Sequence, residues 1–459
     1  MTEVIYRARV ASGSFSRTAV EELSASQREP AWLLDRRLAA LDLFERTPVP
    51  TRAEEDYRRT DLRRFNIEEF VPVVGQRATV PSATTRGLSP SIRAVLGSTS
   101  RKGAVDGGTI VQQNGTTLFQ TLSQEIADKG VIFCSLAEAV ERYPDLVRPY
   151  LTDERVGGDV DKWTSMNSAF WTGGIFVYIP KNVEVTLPLR NVLAQSGSGA
   201  TFTKTLVVAE AWSTVTYLDD CLSIGETSRP AFNTSVVDVV AGEGSAVRYC
   251  HIQNWGTNVW NFERERFFCK RDAAINTLQV GLGSQLTKSY VQTYIDQPGV
   301  SAEMLGLVFI GGKQHIDHTT LQNHIAGQSM SDLLFKCAML EQARSVYGGK
   351  IVIAVGAQRS DAYQNNRNLL LSSDARADSI PMLEIEANDV RCTHGATVSA
   401  VDAEELFYLQ SRGLPRAEAE RMIVEGFFSP VIDRIPLISV RERLAHEIAV
   451  QISKLKFEE

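Results

Sequence analysis

Cysteine is scarce in this 459-residue chain, and the six present, at 134, 221, 250, 269, 337 and 392, nowhere form Cys-x-x-Cys. That spacing excludes a ferredoxin-type ligand run and a zinc ribbon, and sparse unpaired thiols point to a reducing, cytoplasmic setting. Any metal bound here needs ligands from distant segments or from a second subunit. Long apolar runs are missing too: none reaches the roughly 18 residues that a membrane span requires. The first residues, Met1 to Arg9, hold no apolar block behind a basic start, so no secretory signal is expected. Net charge is -7, which removes the basic footprint of nonspecific nucleic-acid binding. Nucleotide-binding loops are incomplete. Gly311-Gly312-Lys313 runs into Gln314 and Gly348-Gly349-Lys350 into Ile351, so neither supplies the hydroxyl of a P-loop. Gly281-Leu282-Gly283-Ser284-Gln285-Leu286 lacks the last glycine of a dinucleotide fingerprint, and neither Gly-x-Ser-x-Gly nor His-Glu-x-x-His occurs.

What is present is a globular composition, 43% hydrophobic and 22% charged, in a chain long enough for two or three structural regions. Residues 1–151 read as a helical region. Trp32, Leu33, Leu34, Leu38, Leu41, Leu43 and Phe44 recur at helical spacing between Thr18 and Thr47, until Pro48 and Pro50 stop the pattern. A stretch rich in Gly, Ser, Thr and Pro, 74–116, reads as a long mobile connection, with a strand at Thr109-Ile110-Val111. Ser135 and Glu138 are spaced as a capping box at the start of the next helix.

From 165 to 400 the texture is short β-rich runs broken by Gly, Asn and Asp. Val207 to Tyr217 aligns without gaps on Val239 to Tyr249, an offset of 32 with Val, Val, Ala, Ser, Val and Tyr shared. Strand-turn-strand units that cannot bury their faces alone are expected to stack as a solenoid, with a β-sandwich as the competing arrangement. Residues 401–459 return to helix: Asp402 caps a segment ending at Gly413, a second helix spans about Arg416 to Phe427, and a third starts at Val440.

The most informative stretch is Met382 to Thr397. Leu383 and Ile385 alternate with Glu384 and Glu386, the pattern of a half-buried strand, and Asn388-Asp389 marks a turn. On the strand that follows, Cys392 and His394 lie two apart and share a face. Both side chains are soft or borderline metal ligands, although a lone Cys-x-His on a strand is more often core filling. His315, Asp317, His318 and His324 form a second histidine-rich run, better suited to hydrogen-bonded ladder positions than to a metal.

The block Gly356-Ala357-Gln358, Asp361-Ala362, Gln364, Asn366 to Ser372, Leu383-Glu384-Ile385, Cys392-x-His394-Gly395-Ala396-Thr397 and Leu406 to Gly413 resembles the SufB/SufD family of iron-sulfur cluster assembly proteins. The resemblance covers most of the chain and is weakest between about 74 and 116. Its SufD branch is the better match. SufB-type chains carry His-Glu-Ala-Thr where this one has His394-Gly395-Ala396-Thr397, and an extra cysteine shortly upstream, whereas no cysteine lies between Cys337 and Cys392 here.

That resemblance implies a right-handed parallel β-helix core flanked by N- and C-terminal helical regions. It implies a non-enzymatic scaffold that pairs with a SufB-like paralogue and a SufC-like ABC-type ATPase and assists iron acquisition. An iron-sulfur cluster or iron would be held transiently with the paralogue, His394 and Cys392 being the metal ligands on this side. Phe407, Tyr408, Arg412, Met422, Phe427 and Phe428, in the C-terminal helices, are the candidate partner-binding residues. A different class stays open: parallel β-helices often house polysaccharide-degrading enzymes, and Asp219-Asp220 offers two carboxylates, although neighbouring strand residues face opposite sides.

Overall fold

The computed structural model describes residues 15–74, 82, 84–98, 106–225 and 228–453. Two sheets run its length among these residues, one of ten strands and one of nine, and successive strands of the core alternate between them. Apart from an antiparallel pair at the start of each sheet, neighbouring strands are parallel. The result is a parallel β-solenoid with helices at both ends of the chain. The offset of 32 seen in the sequence is the physical register: Val207 pairs with Val239, Thr214 with Ala246, and Tyr217 with Tyr249. Like side chains therefore stack in rows, and the Tyr217 and Tyr249 rings lie 6.0 Å apart and nearly parallel.

The inward rows form an apolar core of Val207, Val215, Val239, Val247, Phe267, Ile275, Phe335 and Tyr347. Polar residues interrupt it. Two inward histidines, His318 and His324, are buried, and burial pushes their imidazoles down to about 3 and about 4. An unfolded histidine titrates near 6.5. A depressed folded value means that stability is whole above pH 6.5 and is lost as the pH falls towards 4. At pH 5 each of the two costs about 2 kcal/mol. His251, whose value the neighbouring Glu263 and Glu265 carboxylates raise against the effect of burial, works the other way. Calorimetry is expected to show Tm falling between pH 7 and pH 5, less steeply in His324→Gln. An equally steep fall in that variant would show that His324 is not responsible.

The N-terminal helical pattern is two helices, Arg17–Gln27 and Ala31–Arg46, because Arg28 takes a left-handed conformation and Pro30 follows. With helix Lys162–Phe170 they cover the outer face of the nine-stranded sheet through an aromatic cluster in which Trp163 stacks on Phe262 at 3.9 Å. Within 74–116, read from sequence as a connection, the described residues hold a helix at Pro90–Ser98 and a strand at Gly108–Gln113. The Ser135 hydroxyl accepts the Glu138 backbone N–H at 3.2 Å, but the Glu138 carboxylate pairs with Arg142, so only half of the capping box forms. The C-terminal helices Ala403–Ser411, Arg416–Ile432 and Ile438–Ser453 follow the last strand. The second and third bury Val424, Phe428, Val431, Val440, Leu444 and Ile448 against the outer face of the ten-stranded sheet. No helix among the described residues is long and apolar enough to cross a membrane.

Candidate functional site at the open end of the solenoid

The last two strands, Arg376–Ile385 and Arg391–Ala400, form the free edges of the two sheets. Register fixes where their side chains point. Cys392 pairs with Ala362 and His394 with Gln364, and both partners are 1% exposed and face inward. Cys392 and His394 therefore occupy the inward row of the final turn, as their two-residue spacing requires. Leu383 and Ile385 pair with the fully buried Ile351 and Ile353, so they too point towards the lumen, from the other sheet.

Among the described residues no further turn covers this layer. His394 is exposed and Cys392 is half-buried against Ile351, Ile353 and Ala362. The strand expected at Leu383 and Ile385 is present, but its apolar face is not buried in the single chain: they are 38% and 41% exposed, and Val398 is 46% exposed. Alternation reports one apolar face; it does not say that the same chain supplies the cover. Apolar side chains thus crowd an end whose strands also present unpaired backbone N–H and C=O groups.

Chemically, this end offers one thiol and one imidazole. Burial raises the Cys392 thiol, and the Asp361 carboxylate adds to the effect, so the free chain holds it protonated. A metal would have to displace that proton. Among the described residues no group of three or more His, Cys, Asp or Glu side chains is placed to hold a metal ion. Cys392 and His394 suit iron by donor type, but they are at most half of a tetrahedral ligand set. The remaining ligands must come from elsewhere.

The other sequence candidates separate cleanly. His315 and Asp317 share an outward face, where the Thr60 hydroxyl donates to Asp317 and lies 3.1 Å from His315 Nε2. Lys288 Nζ completes the contact at 2.9 Å from Asp317. This cluster fastens the segment after the N-terminal helices to the solenoid. His318 and His324 face the lumen; the His324 ring nitrogens lie 2.9 and 2.7 Å from the hydroxyls of Ser329 and Ser331.

The polysaccharide-degrading reading of Asp219 and Asp220 is overturned by their placement. Asp219 points inward, accepting from Tyr217 at 2.7 Å and Asn191 at 2.9 Å. Beside it lies a buried network in which His251 Nδ1 is 3.0 Å from Glu265 and Nε2 is 3.5 Å from Cys221. Asp220 points outward and is enclosed by Arg190 and Arg443. The two carboxylates are 2% and 1% exposed on opposite sides of one strand, so they cannot flank one glycosidic bond.

Among the C-terminal candidates, Phe407 is 71% exposed, Tyr408 57% and Met422 44%, and Arg412 lies over the Tyr408 ring at 5.3 Å. Helix Ala403–Ser411 buries none of its residues. Phe428 is corrected: it is fully buried, 6.0 Å from Phe309. Phe427 is partly buried, with Lys336 4.7 Å from its ring centre and bonded to its carbonyl at 2.6 Å, so it fixes the helix to the sheet. Sequence reasoning gave Gln364 no role and did not foresee that strand Arg376–Ile385 is an exposed edge; a polar residue in an inward row was the available signal for the first.

The chain is thus a two-sheet parallel solenoid with a Cys/His pair in the inward row of its last turn. Comparison with known proteins identifies its family. Residues 192–427 match the family profile described as SUF system FeS cluster assembly, SufBD core domain, and residues 103–190 match the SufBD protein N-terminal region. Iron-sulfur cluster assembly protein SufD of Bacillus subtilis is 32% identical over 434 residues, covering 94% of this chain and 96% of the relative. Iron-sulfur cluster assembly SufBD family proteins of Staphylococcus haemolyticus and Staphylococcus epidermidis are each 29% identical, covering 96% of this chain and 92% of the relative. The chain belongs to the SufB/SufD family of iron-sulfur cluster assembly proteins, as its sequence motifs indicated.

Proposed function

We propose that this chain is a SufD-type scaffold subunit of a cytoplasmic Suf complex. Its open end pairs with the matching end of a SufB-like paralogue, and Cys392 and His394 contribute to a nascent iron-sulfur cluster built between them. The cluster is cargo, handed on once made, and the chain assists in acquiring its iron. A SufC-like ATPase docks on the C-terminal helices, where Phe407, Tyr408 and Met422 supply apolar anchors and Arg412 a charged rim.

The observation that carries this reading is the uncovered final turn. A solenoid normally ends in a cap with a polar outer face, because otherwise its core meets water. Here the end is apolar, has two free sheet edges, and holds two metal-type donors where a cluster needs more. A partner with the same architecture supplies a cover, edge pairing and missing ligands at once. That the relatives named above are iron-sulfur cluster assembly proteins supports the choice of cargo.

The test is co-expression with the host's SufB- and SufC-like proteins, followed by anaerobic purification with iron and sulfide analysis. The three subunits are expected to co-purify with a cluster. His394→Ala should keep the complex and lose at least about tenfold in cluster content, in line with the loss of a metal-site group. Normal cluster loading in that variant would defeat the site assignment.

A further inference from the structure

Directly below His394, in the inward row of the neighbouring strand, lies Gln364. Parallel strands are spaced about 4.8 Å apart, so an inward side chain contacts the one stacked on it. Gln364 is 1% exposed, yet neither its Oε1 nor its Nε2 has a hydrogen-bond partner within the chain. Its neighbours on the same strand are bonded at least in part: the Asn368 amide donates to Asn366 at 2.7 Å, although its Oδ1 is unbonded, and the Asn366 amide donates to the Phe335 carbonyl. One strand pair further down, the inward Gln322 amide donates to Ser331 at 2.7 Å while its Oε1 is unbonded, so Gln364 differs in having both ends of its amide without a partner.

The space for Gln364 is made by a glycine. A Cβ on Gly349 would lie 2.1 Å from Gln364 Nε2, so any side chain there would displace the amide. The chain thus reserves room for a buried amide that it leaves unbonded, at a cost of about 1–3 kcal/mol for such a group. The residue stacked below Cys392 is Ala362, which has nothing polar to offer. An amide is therefore stacked under the histidine and none under the cysteine.

We infer that Gln364 is a positioning residue whose side-chain oxygen accepts the ring N–H of His394 and so presents the other ring nitrogen to the metal. Metal-bound histidines nearly always donate their second ring nitrogen to such an acceptor, which fixes tautomer and ring orientation. In the free chain His394 is exposed and its ring is not held by a partner surface, so the amide waits unbonded; pairing closes the end over both side chains. This inference rests on the site assigned above to His394.

The experiment uses the purified complex with the SufB- and SufC-like subunits, titrated anaerobically with Co(II) alone and followed by its ligand-field absorption. Gln364→Leu is expected to weaken Co(II) binding about 10–100-fold, the usual effect of removing a ligand's hydrogen-bond acceptor. The same change removes an unbonded buried amide, so Tm should stay level or rise. Gln364→Glu, which restores an acceptor, should recover most of the affinity. The inference is overturned if Gln364→Leu binds Co(II) like the wild type while His394→Ala does not, if Glu restores nothing, or if Tm falls in step with affinity. Wild-type Co(II) binding by His394→Ala would instead remove the site assignment on which the inference stands.

Discussion

Asp220→Ala is expected to destabilise the chain by about 3–5 kcal/mol and to loosen its last helix, because it removes the buried carboxylate that Arg443 and Arg190 share. Arg190 is fully buried and meets the Asp220 carboxylate at 2.7 and 2.6 Å, while Arg443, 7% exposed on helix Ile438–Ser453, meets the other oxygen. Arg190 also donates to the Val95 carbonyl at 3.0 Å. One carboxylate therefore ties together helix Pro90–Ser98, two solenoid strands and the C-terminal helix. Burial alone would raise the Asp220 carboxyl, but the two guanidiniums outweigh it and hold it below the ordinary carboxylate range. With a depressed folded value, its stabilisation is present above the unfolded value near 3.9 and is lost as the pH falls below it. Denaturant unfolding at pH 7 measures the loss, and proteolysis reports release of the last helix. Replacing the triad together, by Asp220→Leu, Arg190→Met and Arg443→Leu, should recover much of the stability, since the buried cations leave with their carboxylate, although Asp106, 3.9 Å from Arg190, loses a partner. A loss under 1 kcal/mol in Asp220→Ala would mean that the helix is held by its apolar face alone.

Such a triad is where sequence reasoning stops. Period-2 alternation places Asp219 and Asp220 on opposite faces, and they are so placed; nothing in it names Arg443, 223 residues away. The solenoid was legible because parallel stacking puts equivalent residues side by side, so an offset between Val207 and Val239 in the sequence is a distance of one strand in space. Cys392 and His394 were legible for the same reason, since strand geometry alone fixes a shared face. The uncovered end was not, because an apolar row looks the same whether the next layer is in the chain or in a partner. Phe407 and Phe428 show the limit for helices. Both are aromatic and helical, but Phe428 joins Val424 and Val431 at spacings of four and three on the face that meets the sheet, whereas Phe407 sits on a helix with no buried face at all.

Leu383→Asp combined with Val398→Lys is expected to abolish pairing with the SufB-like subunit while leaving this chain folded. Both side chains are more than a third exposed in the free chain, so charges there remain in water and cost at most about 0.5 kcal/mol. Pairing would take them out of water beside apolar neighbours. Each unpaired buried charge costs several kcal/mol, and every 1.4 kcal/mol is tenfold in affinity, so binding should weaken by at least about 100-fold. Inward-pointing charges are also the device by which natural sheets prevent edge-to-edge association, so the substitutions oppose both apolar contact and strand pairing. The readouts are calorimetric affinity for the SufB-like subunit and the Tm of the free variant. Loss of affinity at an unchanged Tm places the interface on the open end. Affinity within about threefold of wild type would move it to another surface, and Cys392 and His394 would then have to find their missing ligands somewhere other than across that end.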